Sequence, residues 1–143
     1  MNSRNKTILL INFLLFLVTT LDAQIYKTRK EIIEAEGTNY TSGISNSGEK
    51  YIKYENEVTN DISGKFTQVQ VIYFTTKSDG TEVCSMTKLL LPASETNTIV
   101  KYIENKYVKV GNLKYMDYGK NILYWIKVEM DICILTTEWV LEK

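Results

Sequence analysis

The stretch "FTQVQVIYFTTKSDGTEVCSMTKLLLP", residues 66–92, constrains the fold more than any other part of the chain. β-branched and aromatic residues run up to and away from Ser78-Asp79-Gly80, a hairpin signal because glycine takes positive φ freely at such a turn. Two antiparallel strands follow, and Pro92 ends the second because it has no N–H to give to a ladder. Just upstream, "EKYIKYENEV" (49–58) alternates well enough for a third strand.

Two helices flank these strands. "TRKEIIEAEG" sets Thr28 three residues before Glu31 as a capping box, turns Ile32 and Ile33 inward and stops at Gly37. "SETNTIVKYIENKY" offers Ser94 as the N-cap and places Ile99, Val100, Ile103 and Tyr107 at helical spacing. The other six glycines, at 43, 48, 64, 80, 111 and 119, fall between patterned segments and punctuate the chain.

From Ile122 to Ile134 apolar residues alternate without a break, longer than the five or six residues of an average strand. A comparison of the two halves supplies the missing turn. "KYIKY" (50–54) resembles "KYMDY" (114–118), "VIYF" (71–74) resembles "ILYW" (122–125), and "VCSMT" (83–87) resembles "ICILT" (132–136). The matches keep their order, each set follows a helix, and the repeat predicts a tight turn at Glu129-Met130-Asp131. It also predicts a shared core face: Cys84, Met86 and Leu90 in one copy, Cys133, Leu135 and Trp139 in the other. The expected fold class is α+β, two tandem helix-plus-three-antiparallel-strand units (αβββαβββ) packed as one domain. Unit one covers about 25–92 and unit two about 93–143.

An export signal followed by such units, with "KTRKEIIEAEG" (27–37) running into strands, resembles the β-lactamase-inhibitor-protein-like and small outer-membrane assembly protein (SmpA/OmlA-like) folds. The resemblance implies a small exported protein of the bacterial envelope. Those families open each unit with a helix pair, where this sequence shows one helix per unit. The lipid-anchor cysteine of the assembly proteins has no counterpart, so no functional residue carries over.

The opening "MNSRNKTILLINFLLFLVTTLDAQ" reads as a signal peptide over 1–23: Arg4 and Lys6, an apolar run, then Leu21-Asp22-Ala23 as the cleavage site. The run is too short to span a bilayer and is broken by Asn12. The expected location is therefore periplasmic or extracellular, with no membrane insertion after cleavage. Removing 1–23 leaves 15 basic and 16 acidic side chains, and the lysines interleave with Glu and Asp throughout. Nucleic-acid binders concentrate their cations on one face, so no nucleic-acid partner is expected.

Histidine is absent, which removes the usual general base and the commonest zinc ligand. No G-x-S-x-G, Walker-type loop, C-x-x-C, G-x-G-x-x-G or D-x-D-x-D-G loop occurs. Glu49, Glu55, Glu57 and Asp61 interleave with Lys50, Lys53 and Lys65 and read as a solvated face. No catalytic, cofactor-binding or metal-ligating residue is assigned, and no cofactor. Cys84 and Cys133 lack the cationic neighbour that makes a thiol reactive, which leaves two structural readings, a bridge between them or two buried thiols. Of ten tyrosines, Tyr51, Tyr54, Tyr115 and Tyr118 are the candidates for an exposed, partner-binding sheet face.

Three functions fit these observations. The first is a non-enzymatic exported domain that binds a protein partner, as an inhibitor or envelope accessory factor. The others are a structural or stress-related envelope protein, and a hydrolase or lyase of unfamiliar type using Glu and Tyr.

Overall fold

A computed structural model describes residues 24–141; the expected signal segment, 1–23, lies outside them. The elements are α1 (Arg29–Glu36), β1 (Thr41–Ile44), β2 (Lys50–Asn60), β3 (Gly64–Thr76) and β4 (Glu82–Pro92), then α2 (Thr96–Glu104), β5 (Val108–Gly111), β6 (Lys114–Asp117), β7 (Ile122–Glu129) and β8 (Ile132–Trp139). All eight strands form one antiparallel sheet in the order β1-β2-β3-β4-β8-β7-β6-β5.

This overturns the expected αβββαβββ arrangement. The molecule is mostly sheet, four strands from each half in one continuous layer, with helices of only eight and nine residues. The strands that were missed, β1 ("TSGI") and β5 ("VKVG"), are four residues long and each contains glycine. They are too short to show a period, and pairing along one side supplies what propensity does not.

Local chemistry accounts for the helix ends. Thr28 accepts from the Glu31 N–H while Glu31 reaches back to the Thr28 N–H, and Gly37 at φ 98° ends α1 with its own N–H on the Ile33 carbonyl. At α2 the expected N-cap fails. A 3₁₀ turn at Ala93–Glu95 leads into the helix, and the Ser94 hydroxyl bonds Ser63 instead. The hairpin between β7 and β8 turns at Met130-Asp131, as the repeat requires, with Val128 opposite Cys133 and Glu129 opposite Ile132.

Both helices lie on one face of the sheet, over a single apolar cluster. Ile32 of α1 and Ile99 and Ile103 of α2 share it with Ile52, Ile72, Leu89, Tyr115, Tyr124 and Leu135. The predicted core face is right for Cys84, Cys133 and Leu135 and wrong for Met86 and Leu90. A bulge at Ser85, between the pairs Tyr73–Met86 and Phe74–Cys84, shifts the alternation. Thr87, Leu89 and Leu91 thereby face the helices, while Met86 and Leu90 turn away.

The two halves meet at β4 and β8, so the sheet reads the same from either end. Tyr54 on β2 donates its hydroxyl to the Gly37 carbonyl at the end of α1; Tyr115 on β6 donates to Glu104, the last residue of α2. Following the ladders outward from these equivalent tyrosines brings Ile72 onto Ile126 and Cys84 onto Cys133. The cysteine match of the repeat therefore holds, and the other two are displaced by three residues. An odd displacement exchanges faces. Tyr51 and Tyr73 point away from the helices, whereas Tyr115 and Tyr124, their expected counterparts, are fully buried.

Candidate partner-binding face

The opposite face of the sheet carries no helix, and no element among the described residues covers it. Its side chains form rows across the strands, set by register. One row runs Tyr51, Tyr73, Met86, Glu138, Leu123, Met116. The next runs Lys53, Val71, Lys88, Thr136, Trp125, Lys114, and a third Glu55, Val69, Leu90, Ile134, Lys127. At ~4.8 Å between strands and ~6.6 Å between rows, the patch spans roughly 24 by 20 Å including the Thr67–Pro92–Ile132 edge. That plan area, ~500 Å², holds charged and apolar positions side by side.

Of the four candidate tyrosines, only Tyr51 lies on this face. Its ring lies across Gly43 of the edge strand, where a Cβ would stand 2.6 Å from the hydroxyl. The pairing explains a glycine inside β1 rather than between elements. Tyr54 and Tyr115 are buried under the helices, and burial raises both hydroxyl pKa values, helped at Tyr115 by the Glu104 carboxylate. Tyr118 is 64% exposed just beyond the end of β6. Sequence reasoning missed Tyr73 and Trp125, although their place in the alternation, odd in β3 and β7 against even-numbered buried residues, carries the signal.

Charges on the face are arranged unevenly. Glu55 holds Lys53 at 2.5 Å, Glu57 faces Lys65 at 3.7 Å, and Glu129 pairs with Lys127. Lys88 and Lys114 have no carboxylate within 4 Å among the described residues. Each ammonium instead lies over a ring, Lys88 5.5 Å from the centroid of Tyr73 and Lys114 6.0 Å from that of Trp125. Such contacts are worth about 0.5–1 kcal/mol while solvated and more once water is excluded. The indole N–H of Trp125 has no acceptor among the described residues.

Elsewhere the polar groups are engaged in holding the fold. Cys84 and Cys133 are free and buried, which settles the two readings of the thiols: no bridge joins them. Cys133 stands opposite Leu91, seven residues along β4 from Cys84, a separation of roughly 20 Å at ~3.3 Å per residue. A disulfide needs Cα atoms within about 7 Å. Burial pushes the Cys84 thiol up to about 12 and raises that of Cys133, so neither is a nucleophile at neutral pH.

Ser63 donates to Glu95 at 2.6 Å, a hydroxyl–carboxylate contact the sequence did not reveal. The same oxygen also accepts from Asn60 at 2.7 Å, and Glu95 is fully buried with its other oxygen unpartnered. The contact ties the β2–β3 turn to the 3₁₀ turn, and the Glu95 carboxylate adds to burial in raising the thiol pKa of nearby Cys133. An open groove of about 490 Å³ beside α1 contains Arg29, but Glu82 already holds that guanidinium at 3.0 Å and Lys50 at 2.7 Å. No group of three His, Cys, Asp or Glu side chains able to hold a metal occurs among the described residues. Nor is any helix among them long and apolar enough to cross a membrane.

No protein-family model, curated protein or solved structure matches the chain.

Proposed function

We propose that this chain is an exported, non-enzymatic domain that binds a protein partner through the open face of its sheet. One observation carries the reading: rows of Tyr, Trp, Met, Leu, Ile and Val on a face that the fold's own helices leave bare. Aromatic residues and methionine are the types enriched at protein interfaces, and Tyr and Trp add contact area with little rotamer entropy to lose. The side chains of the face are half-buried by their own neighbours, so docking orders little that is not already ordered.

The test is retention of envelope and culture-fluid proteins on the immobilised domain, run beside two single variants. Leu90→Asp sets a charge at the centre of the face; Lys101→Glu changes an exposed position on α2, on the other side. A protein held in stoichiometric amount by the parent and by Lys101→Glu, and lost from Leu90→Asp, is the expected result. Equal retention by all three, or none by the parent, would sink the proposal.

A further inference from the structure

The geometry points to the chemistry of the partner: we infer that the open face takes an acidic protein segment, one whose carboxylates meet Lys88 and Lys114 while its apolar side chains cover Met86, Leu90, Leu123 and Ile134. This deepens the docking reading and rests on it. Every other lysine on the face has a glutamate at hand, and these two have only a ring beneath them. A ring fixes an ammonium in place but takes none of its N–H donors. While the face is wet, water serves them. Once a partner excludes water, an ammonium left without an acceptor opposes binding, so a stable partner must bring acceptors to those two points.

Position strengthens the inference. Lys88 stands opposite Thr136 at the centre of the sheet, and Lys53 and Lys114 are equivalent positions of the two halves, each immediately before an equivalent buried tyrosine. The row from Lys53 to Lys114 is therefore symmetric about Lys88–Thr136, with Val71 and Trp125 between. Lys88 lies two strands from Lys53 and three from Lys114, so the unmet charges are ~14 Å apart. A segment crossing the strands can reach both.

Two other occupants fit less well. A second copy of the chain offers Glu138 as its one unpaired carboxylate on these rows, one acid for two lysines, so self-docking leaves a cation unmet. A nucleic acid or other polyanion would be set against Glu55, Glu57, Glu129 and Glu138 on the same face.

The experiment is selection of a displayed random dodecapeptide library on the immobilised parent protein. Recovered peptides are then titrated against three variants: Lys88→Glu/Lys114→Glu, Leu90→Asp and Lys88→Arg/Lys114→Arg. All three substituted positions lie on the open face, and circular dichroism checks that each variant keeps the parent's sheet. Supporting the inference are peptides enriched at least twofold in Asp and Glu beside apolar residues, bound at least tenfold more weakly by the charge-reversed variant and within threefold by the arginine variant. Peptides that Leu90→Asp loses but charge reversal leaves within threefold would overturn the acidic partner and keep the docking face. Peptides insensitive to every variant, or no enrichment over bare matrix, would overturn both. A parent that elutes as a dimer, made monomeric by Leu90→Asp, would show that a second copy covers the face and would overturn the acidic partner.

Discussion

Cys84 is fully buried near the start of β4, and its polar contact is the Met86 carbonyl, 3.8 Å from Sγ. Backbone bonds from Tyr26 and to Lys27 close off its other side, so a thiolate there would have neither water nor a cation. Burial accordingly moves its ionisation from an ordinary value near 9 to about 12, opposed only weakly by the Met86 contact. The sign of the linkage follows. A thiol whose pKa is raised on folding contributes stability that is whole below the unfolded value and is lost as pH climbs toward the folded one. Between pH 9 and 12 the unfolded chain ionises and the native one cannot, a loss of up to ~4 kcal/mol from this group. Tyr54, Tyr73 and Tyr115, also raised by burial, act in the same direction at higher pH. Urea midpoints from pH 8 to 11 should therefore fall, and fall less steeply in Cys84→Ala even though that variant starts lower. Parallel curves for parent and variant would remove Cys84 from the account.

The turn between β7 and β8 shows how an element can be legible while its chemistry is not. The sequence revealed it through a repeat, because no Gly, Asn-Gly or Asp-Gly marks Met130-Asp131. Met130 stands at φ 49° and is 96% exposed, so it bears a left-handed backbone and returns no packing. Met130→Gly should raise stability by up to ~1 kcal/mol, read as a higher urea midpoint at unchanged slope. An unchanged or lower midpoint would mean that the turn is not strained. Legible from sequence for similar reasons were α1, with its capping box, and the hairpin at Ser78-Asp79-Gly80, because each is written in local chemistry. Not legible were the edge strands β1 and β5, which exist by pairing alone, and the bulge at Ser85, which no residue type announces. Tyr51 and Tyr54 stand three residues apart in β2, an odd spacing that puts one on each face, and Tyr115 falls on the buried side of β6, so the four candidates never shared one face. The unpaired lysines were visible as letters only; their isolation is a property of the assembled rows.

Across the whole molecule the seam between β4 and β8 decides whether two similar halves behave as one body. On the core face Thr87 stands opposite Thr137, Leu89 opposite Leu135 and Leu91 opposite Cys133, all buried. Each half thus completes its apolar layer with side chains of the other, and a single cluster runs from Ile32 of α1 to Tyr124 of the sheet and Ile103 of α2. The tie is doubled at one end. The Tyr26 hydroxyl, from before α1, donates to the Lys120 carbonyl between β6 and β7 at 2.7 Å, and its ring meets Trp139 edge-on at 4.9 Å. Separated halves would expose Leu89 and Leu91 on one side and Leu135 and Cys133 on the other, each beside an unpaired strand edge, which argues for one cooperative transition. Leu89→Ala and Leu135→Ala should each cost about 2–5 kcal/mol, the range for leucines truncated in a closed core. Because the two side chains are opposite each other, the double variant should differ from the sum of the singles by more than ~0.5 kcal/mol. Trp125 and Trp139 both belong to the second half, so their fluorescence reports on it and, through the Tyr26–Trp139 contact, on the tie between the halves, while circular dichroism sees the entire sheet. Coincident denaturation curves by the two probes, shifted together by Leu89→Ala in the first half, are expected. A tryptophan transition that Leu89→Ala leaves in place would show that the halves fold independently and that the seam is only a contact between them.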